Sequence, residues 1–150
     1  MKKYMNLRNL FILIGCVLCI VSFNLIFGKQ IEIDGVAEPI RGNVALFGDG
    51  DYRSAVPTTV AYFVVLLMAI FSFILPLLLE KGLNKKPFCF ALIGLAFVAS
   101  IFFFLEAVFF KSVNDINAKV SLGSAAIFSG IVIILSGGAF LTASLIKEQK

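Results

Sequence analysis

Four long apolar stretches dominate the pattern of hydrophobic and polar positions along the chain. They cover residues 10–27, 60–79, 88–110 and 120–146, and each carries no charge or almost none. A helix needs about 17 to 25 apolar residues to cross a bilayer, so each stretch is long enough to span one. The pattern predicts an all-α integral membrane protein, a single domain in which four antiparallel helices form a bundle at about 10–27, 58–80, 87–110 and 120–146.

The largest polar segment, residues 28–57, connects the first two predicted helices. Within it, residues 30–35 alternate polar and apolar and end in Asp34-Gly35, which is typical of a strand followed by a turn. Residues 43–47 (NVALF), bounded by glycines, are a second candidate strand. We therefore expect a small sheet of two or three strands in this outer loop, lying over the ends of the helices.

Pro76 lies three residues before the inner end of the second apolar stretch. A proline inside a helix removes one backbone hydrogen bond and kinks the helix. Neighbouring helices or the hydroxyl of Ser72, four residues earlier, can accommodate such a kink in a membrane. The sequence therefore predicts a helix kink at Pro76 that serves packing.

Composition and charge agree with a membrane protein. The chain is 60% hydrophobic and 15% charged, with a mean hydropathy of +1.02, whereas soluble domains have about 45–50% apolar and about 25% charged residues. The net charge of +4 comes from basic residues scattered around helix ends, which does not indicate nucleic-acid binding. By the positive-inside rule, they place both termini in the cytoplasm and residues 28–57 outside a bacterial-type plasma membrane; the short segments that decide this carry Lys2, Lys3, Arg8, Lys81, Lys85 and Lys86.

Small residues recur every seven positions in the fourth predicted helix. One line consists of Gly123, Gly130, Gly137 and Ser144, and Ser129 and Ser136 lie beside it. Successive residues of each line are two helical turns apart, so they share one face of the helix. In lipid, helices associate by close van der Waals packing, and a face of small residues lets another backbone approach. We predict a helix-packing face here, used inside the bundle or in contact with another membrane protein or a second copy.

Glu106 is the only ionisable residue deep in a predicted span. At helical spacing it shares a face with Ala96, Ala99 and Phe103, so we expect it to point into the bundle. It lies about 6 Å along the helix from Phe110, so it could also snorkel outward or pair with a cation, Lys111, Arg41 or Arg53. An acid inside a membrane raises the alternative of a proton or cation site.

Other candidate chemistry is sparse, and the sequence predicts neither an enzyme nor a cofactor. Cys16 and Cys19 form a CxxC in the middle of a span, away from the water-facing helix start that favours a thiolate, so they are read as packing residues. Residues 48–51 (GDGD) supply too few acids for a calcium loop and are read as a solvated turn. Histidine, the commonest general base and metal ligand, is absent from the sequence.

The topology resembles that of the claudin and peripheral-myelin-protein group of tetraspan proteins. The shared features are four helices, both ends inside, a strand-bearing first outer loop and a short second one. The first loop in that group carries tryptophans and a cysteine pair, whereas this chain has no Trp and no Cys in its loop. No residue roles are therefore transferred.

These observations lead to three hypotheses of function. The first is a small multi-pass membrane protein that acts through protein–protein contacts, as an accessory, assembly or immunity-type subunit. The second is a small transporter or channel component that uses Glu106. The third is a membrane thiol oxidoreductase that uses Cys16 and Cys19.

Overall fold

The computed structural model describes residues 6–146, so Lys2 and Lys3 of the topology prediction lie outside the described residues. Within that range, four helices are long and apolar enough to cross a membrane, which fits a multi-pass membrane protein. The helices are α1 (Leu7–Asn24, followed by a 3-10 turn at Leu25–Phe27), α2 (Gly42–Phe47), α3 (Val56–Glu80), α4 (Lys85–Phe104), α5 (Glu106–Val113) and α6 (Ser124–Leu145). The strands are β1 (Lys29–Ile33), β2 (Ile40–Arg41) and β3 (Val120–Leu122).

Local sequence signals set several helix ends. The side chain of Asn6 accepts a hydrogen bond from the Arg8 N–H at the start of α1, and Asn84 caps α4 in the same way. Pro57 lies in the first turn of α3, where a missing N–H costs nothing. Helix α3 continues through Pro76 to Glu80, and the Ser72 hydroxyl donates to the Met68 carbonyl one turn earlier.

The four long helices pack as a ring in which α6 contacts α1 and α4, and α3 contacts the same two helices from the other side. Their shared core is continuous from end to end. It contains large side chains with at most 1% of their surface exposed, among them Ile12, Met68, Leu92, Phe103, Ile133 and Phe140.

The strands form an antiparallel sheet in the order β2-β1-β3 at one end of the bundle. Ile31 pairs with Leu122 and Ile33 with Val120, so the sheet joins the two connections that emerge at that end. Beneath it lies a second apolar cluster made of Ile31, Ile33, Ile40, Ala45, Ala55 and Phe110. We call β1, β2, β3, α2 and α5 together the sheet end.

The prediction of a strand at residues 43–47 is wrong, because the structure has helix α2 there. Ala45 and Leu46 are adjacent and both buried, whereas a strand would turn one of them to the other face. The second strand is instead the two-residue β2, and β3 supplies the third. The expected small sheet exists, but with different members.

The predicted helix bounds also need correction at two places. Residues 120–122, predicted as the start of the last helix, form β3, and α6 begins at Ser124. The helix predicted over 87–110 is interrupted at Leu105 and continues as α5. In both places the chain leaves the helix to contribute to the sheet end.

Candidate functional site

Glu106 lies at the break between α4 and α5, as the first residue of α5. The segment 96–113 contains no proline or glycine, so its local sequence does not predict an interruption. The interruption instead coincides with a tertiary contact, because Phe110, four residues after Glu106, is fully buried in the apolar cluster beneath the sheet.

The Glu106 side chain is fully buried, and neither carboxylate oxygen has a hydrogen-bond partner among the described residues. Ala96, Ala99 and Phe103 are buried as well, which confirms that Glu106 faces the bundle interior. The alternatives that it snorkels outward or pairs with a cation are wrong, because the side chain is buried, Arg41, Arg53 and Lys111 are exposed, and none of the three donates to it. A buried polar group without a partner is costly, so this arrangement requires an explanation.

Two further unpartnered oxygens lie on α3. Thr58 and Tyr62 lie one helical turn apart, both are buried, and neither hydroxyl has a hydrogen-bond partner in the described chain. The Tyr62 ring meets the edge of Phe103 with 5.0 Å between centroids, one turn from Glu106. Tyr62 and Glu106 also interact electrostatically. The contact between α3 and α5 therefore brings a carboxylate and a phenol together.

Gln30 on β1 carries a further buried oxygen at the sheet end. Its Nε2 donates to the Leu25 carbonyl over 2.9 Å, while its Oε1 has no partner within residues 6–146. We call Gln30, Thr58, Tyr62 and Glu106 the buried oxygen set. The sequence reasoning found only Glu106; the four-residue spacing of Thr58 and Tyr62 along an otherwise apolar face was the available signal for two others.

The predicted small-residue face of α6 lies inside the bundle. A β-carbon at Gly130 would meet the Phe104 ring at 2.7 Å, and one at Gly137 would meet Ala96 Cβ at 3.2 Å. Gly123, which precedes the helix, packs against the backbone of Lys29 and donates its N–H to Gln30. The glycine line therefore faces α4 and β1.

The serines beside the glycines face α1. Ser129 and Ser22 each donate to the other's backbone carbonyl, over 3.4 and 3.3 Å. Ser136 hydrogen-bonds the thiol of Cys19 over 3.4 Å, and Ser144 donates to Leu141 within its own helix. The predicted packing residues thus lie between α6 and both of its neighbours.

The cysteines lie in the bundle core as free thiols. Cys16 donates to the Ala69 carbonyl, and Cys19 is fully buried against Ser136. A thiol that exchanges electrons with a partner must be reached from outside, so this placement does not favour the oxidoreductase hypothesis.

In the described residues no group of three or more Cys, Asp or Glu could hold a metal ion. Asp49, in the segment considered for calcium, is a turn residue whose Oδ1 accepts hydrogen bonds from the N–H groups of Asp51 and Tyr52.

The sequence reasoning also missed an apolar groove at the sheet end. It encloses about 130 Å³ between the end of α1, α2 and α3. Its rim carries three exposed aromatic side chains, Phe27 (66% exposed), Phe47 (73%) and Phe63 (55%). Tyr62 of the buried oxygen set lines the same groove.

No protein-family model matches this chain, and neither a curated protein nor a solved structure matches it.

Proposed function

We propose that this chain is a small multi-pass membrane protein that acts through non-covalent contacts with another membrane protein, as an accessory, assembly or immunity-type subunit. The observation that carries the proposal is the exposed aromatic rim formed by Phe27, Phe47 and Phe63 at the sheet end. Aromatic side chains around an apolar groove are typical anchors of protein interfaces.

The rim is held on a fixed support, which favours binding. Gly42 packs directly on the backbone of Ile26, and no side chain could fit there. The Ala45 carbonyl accepts a hydrogen bond from the Ala55 N–H, and the Thr59 hydroxyl donates to the Leu46 carbonyl. Because α2 is already ordered, little conformational entropy is lost when a partner covers Phe47.

The fourth long helix is less suited to a partner than its sequence suggested. The small-residue face of α6 is occupied by α1 and α4, so the surface left on that helix is one of large apolar residues facing outward. The proposal therefore places the partner contact at the sheet end. It also places that end outside a bacterial-type plasma membrane and both termini in the cytoplasm, on the positive-inside argument.

A pair of matched positions tests this proposal. A photo-crosslinking phenylalanine analogue at Phe47 should capture a membrane protein in cells, whereas the analogue at Phe97, 66% exposed on the lipid-facing side of α4, should not. Phe47→Ala should also reduce co-purification of the captured protein, and Phe97→Ala should not. Equal capture and equal recovery at the two positions would refute the sheet end as the contact surface.

The second candidate function, a small transporter or channel component, is favoured by one observation: Glu106 keeps an unpartnered carboxyl inside the bundle. The packing of the bundle argues against a transport path, because the side chains of Ile12, Met68 and Phe140 fill its middle. Reconstituted protein tests it directly. A cation or proton flux in proteoliposomes that Glu106→Gln abolishes would establish transport, and a background flux in both proteins would exclude it.

A further inference from the structure

Two basic residues lie side by side on the surface of the sheet end. Lys29 on β1 is the register partner of Arg41 on β2, and both are exposed. Residues directly opposite each other in an antiparallel pair point to the same face, with β-carbons about 4.5–5.5 Å apart, and like charges in such a pair repel. Among the described residues, no acid forms an ion pair with either side chain. The pair is therefore complementary to an anion from outside the chain.

The two cations line an open hollow that adjoins the apolar groove. The hollow has a volume of about 520 Å³, and Glu38 also contributes to its wall. Phe27 lines both the hollow and the groove, so the two meet at its ring. Two cations and one acid give the hollow a net charge of +1. A ligand with a single negative charge would neutralise it.

The groove leads from this hollow toward the membrane-spanning helices. Phe23 and Ile26 line it from the end of the first span, and Leu66 lines it from the second. Lys29 follows the first span by two residues. In a bilayer crossed by these helices, the basic pair lies at the level of the headgroups and the groove at the level of the acyl chains. A ligand that fills both must be charged at one end and apolar at the other.

We propose that the sheet end binds an anionic phospholipid, with its phosphate between Lys29 and Arg41 and part of one acyl chain in the apolar groove. Lys and Arg hold phosphate oxygens by charge-assisted hydrogen bonds, and basic pockets beside membrane helices recognise anionic headgroups. Each methylene group buried in the groove adds to the affinity. The proposal goes beyond the proposed function because it requires no protein partner, and it holds whichever side of the membrane the sheet end faces.

Thermal unfolding of the full chain, purified in a non-ionic detergent, tests the proposal. Melting temperatures are compared after addition of phosphatidylglycerol, which carries one negative charge, or of neutral phosphatidylcholine with the same acyl chains. We expect phosphatidylglycerol to raise the melting temperature above that in phosphatidylcholine, by roughly 3–6 °C for each tenfold increase above the dissociation constant. Equal melting temperatures in the two lipids would overturn the proposal.

Inorganic phosphate at the same concentration separates a lipid site from a site for a free anion. It can meet the basic pair but cannot fill the apolar groove, so it should not reproduce the shift seen with phosphatidylglycerol. A full shift with inorganic phosphate alone would overturn the lipid assignment.

Paired variants tie the effect to the two cations. The double substitution Lys29→Gln with Arg41→Gln should abolish the preference for phosphatidylglycerol. The matched control is Arg53→Gln with Lys111→Gln, which removes the same charge from two exposed residues that do not line the hollow. The control should keep the preference. Equal loss in the two double variants would indicate a general effect of net charge and would overturn the site.

A single variant gives a second readout with a change of sign. Arg41→Gln removes the repulsion with Lys29, so in phosphatidylcholine it should melt no lower than wild type, whereas in phosphatidylglycerol it should melt lower. If the variants do not fold, native mass spectrometry of the wild type decides. Retention of a phosphatidylglycerol molecule in preference to phosphatidylcholine supports the site, and equal retention of the two lipids refutes it.

Discussion

The ring of Phe104 on α4 covers Gly130 on α6 so closely that a β-carbon at position 130 would lie 2.7 Å from its Cζ atom. Two turns further along α6, Gly137 faces Ala96 in the same way. The missing side chains let the two helices approach, which is the main source of helix association where lipid removes the hydrophobic effect. This relationship makes the glycine line the first place to test.

Gly130→Ile and Gly137→Ile should each lower the free energy of unfolding by about 1–3 kcal/mol, because the added side chain pushes α4 away. Thermal unfolding in detergent measures the change. Gly138→Ile is a matched control, since nothing lies within 4 Å of a β-carbon at Gly138. If Gly137→Ile and Gly138→Ile melted at the same temperature, the packing role of the glycine line would be wrong.

Gly42→Ala should be more damaging than its single methyl group suggests. The added carbon would overlap the backbone carbonyl of Ile26, and a backbone cannot move aside as a side chain can. We expect a loss of about 3 kcal/mol, the upper end of the range for overpacking. Faster proteolysis within residues 36–54 would report loosening of the sheet end. Gly50→Ala, where a β-carbon meets open space, should behave as wild type, and equal protease resistance in the two variants would contradict this packing.

The reciprocal hydrogen bonds between Ser22 and Ser129 should contribute a small but measurable coupling between α1 and α6. Each hydroxyl donates to a backbone carbonyl that remains after alanine substitution, so Ser22→Ala and Ser129→Ala should each lower the free energy of unfolding by about 0.6 kcal/mol, the average for hydrogen bonds between membrane helices. Ser100→Ala and Ser144→Ala provide the control, because each of these hydroxyls donates within its own helix. Unchanged stability of both Ser22→Ala and Ser129→Ala would show that these hydrogen bonds do not hold α1 to α6.

Topology can be tested by labelling single cysteines. In a background without Cys16, Cys19 and Cys89, a cysteine at Asp49 should react with an impermeant maleimide from outside intact cells, and one at Asn84 should react only after permeabilisation. Both positions are exposed, and they lie at opposite ends of the bundle, so burial does not decide the result. Labelling at position 84 in intact cells would reverse the proposed orientation.

Hydropathy alone determined the helical framework. The apolar stretches lie within a few residues of the observed α1, α3 and α6, because a membrane-length run of apolar residues has few alternatives to a helix. The alternation in residues 30–35 likewise predicted β1, and the position of Glu106 beside Ala96, Ala99 and Phe103 predicted that it faces inward. Each of these features is local, so a single stretch of sequence contains the necessary information.

Tertiary structure decided everything that depends on distant pairing. Val120–Leu122 is an apolar run continuous with α6, and it becomes a strand only because Ile31 and Ile33 offer it hydrogen bonds from the other connection. Residues 43–47 form a helix because both edges of β1 are already paired and Ala45 and Leu46 must be buried together. Glu106 comes near Tyr62 only after α4 ends and α5 packs against α3. The buried oxygen set could not be read from the sequence, because its members are far apart along the chain and only packing brings them to one end of the bundle.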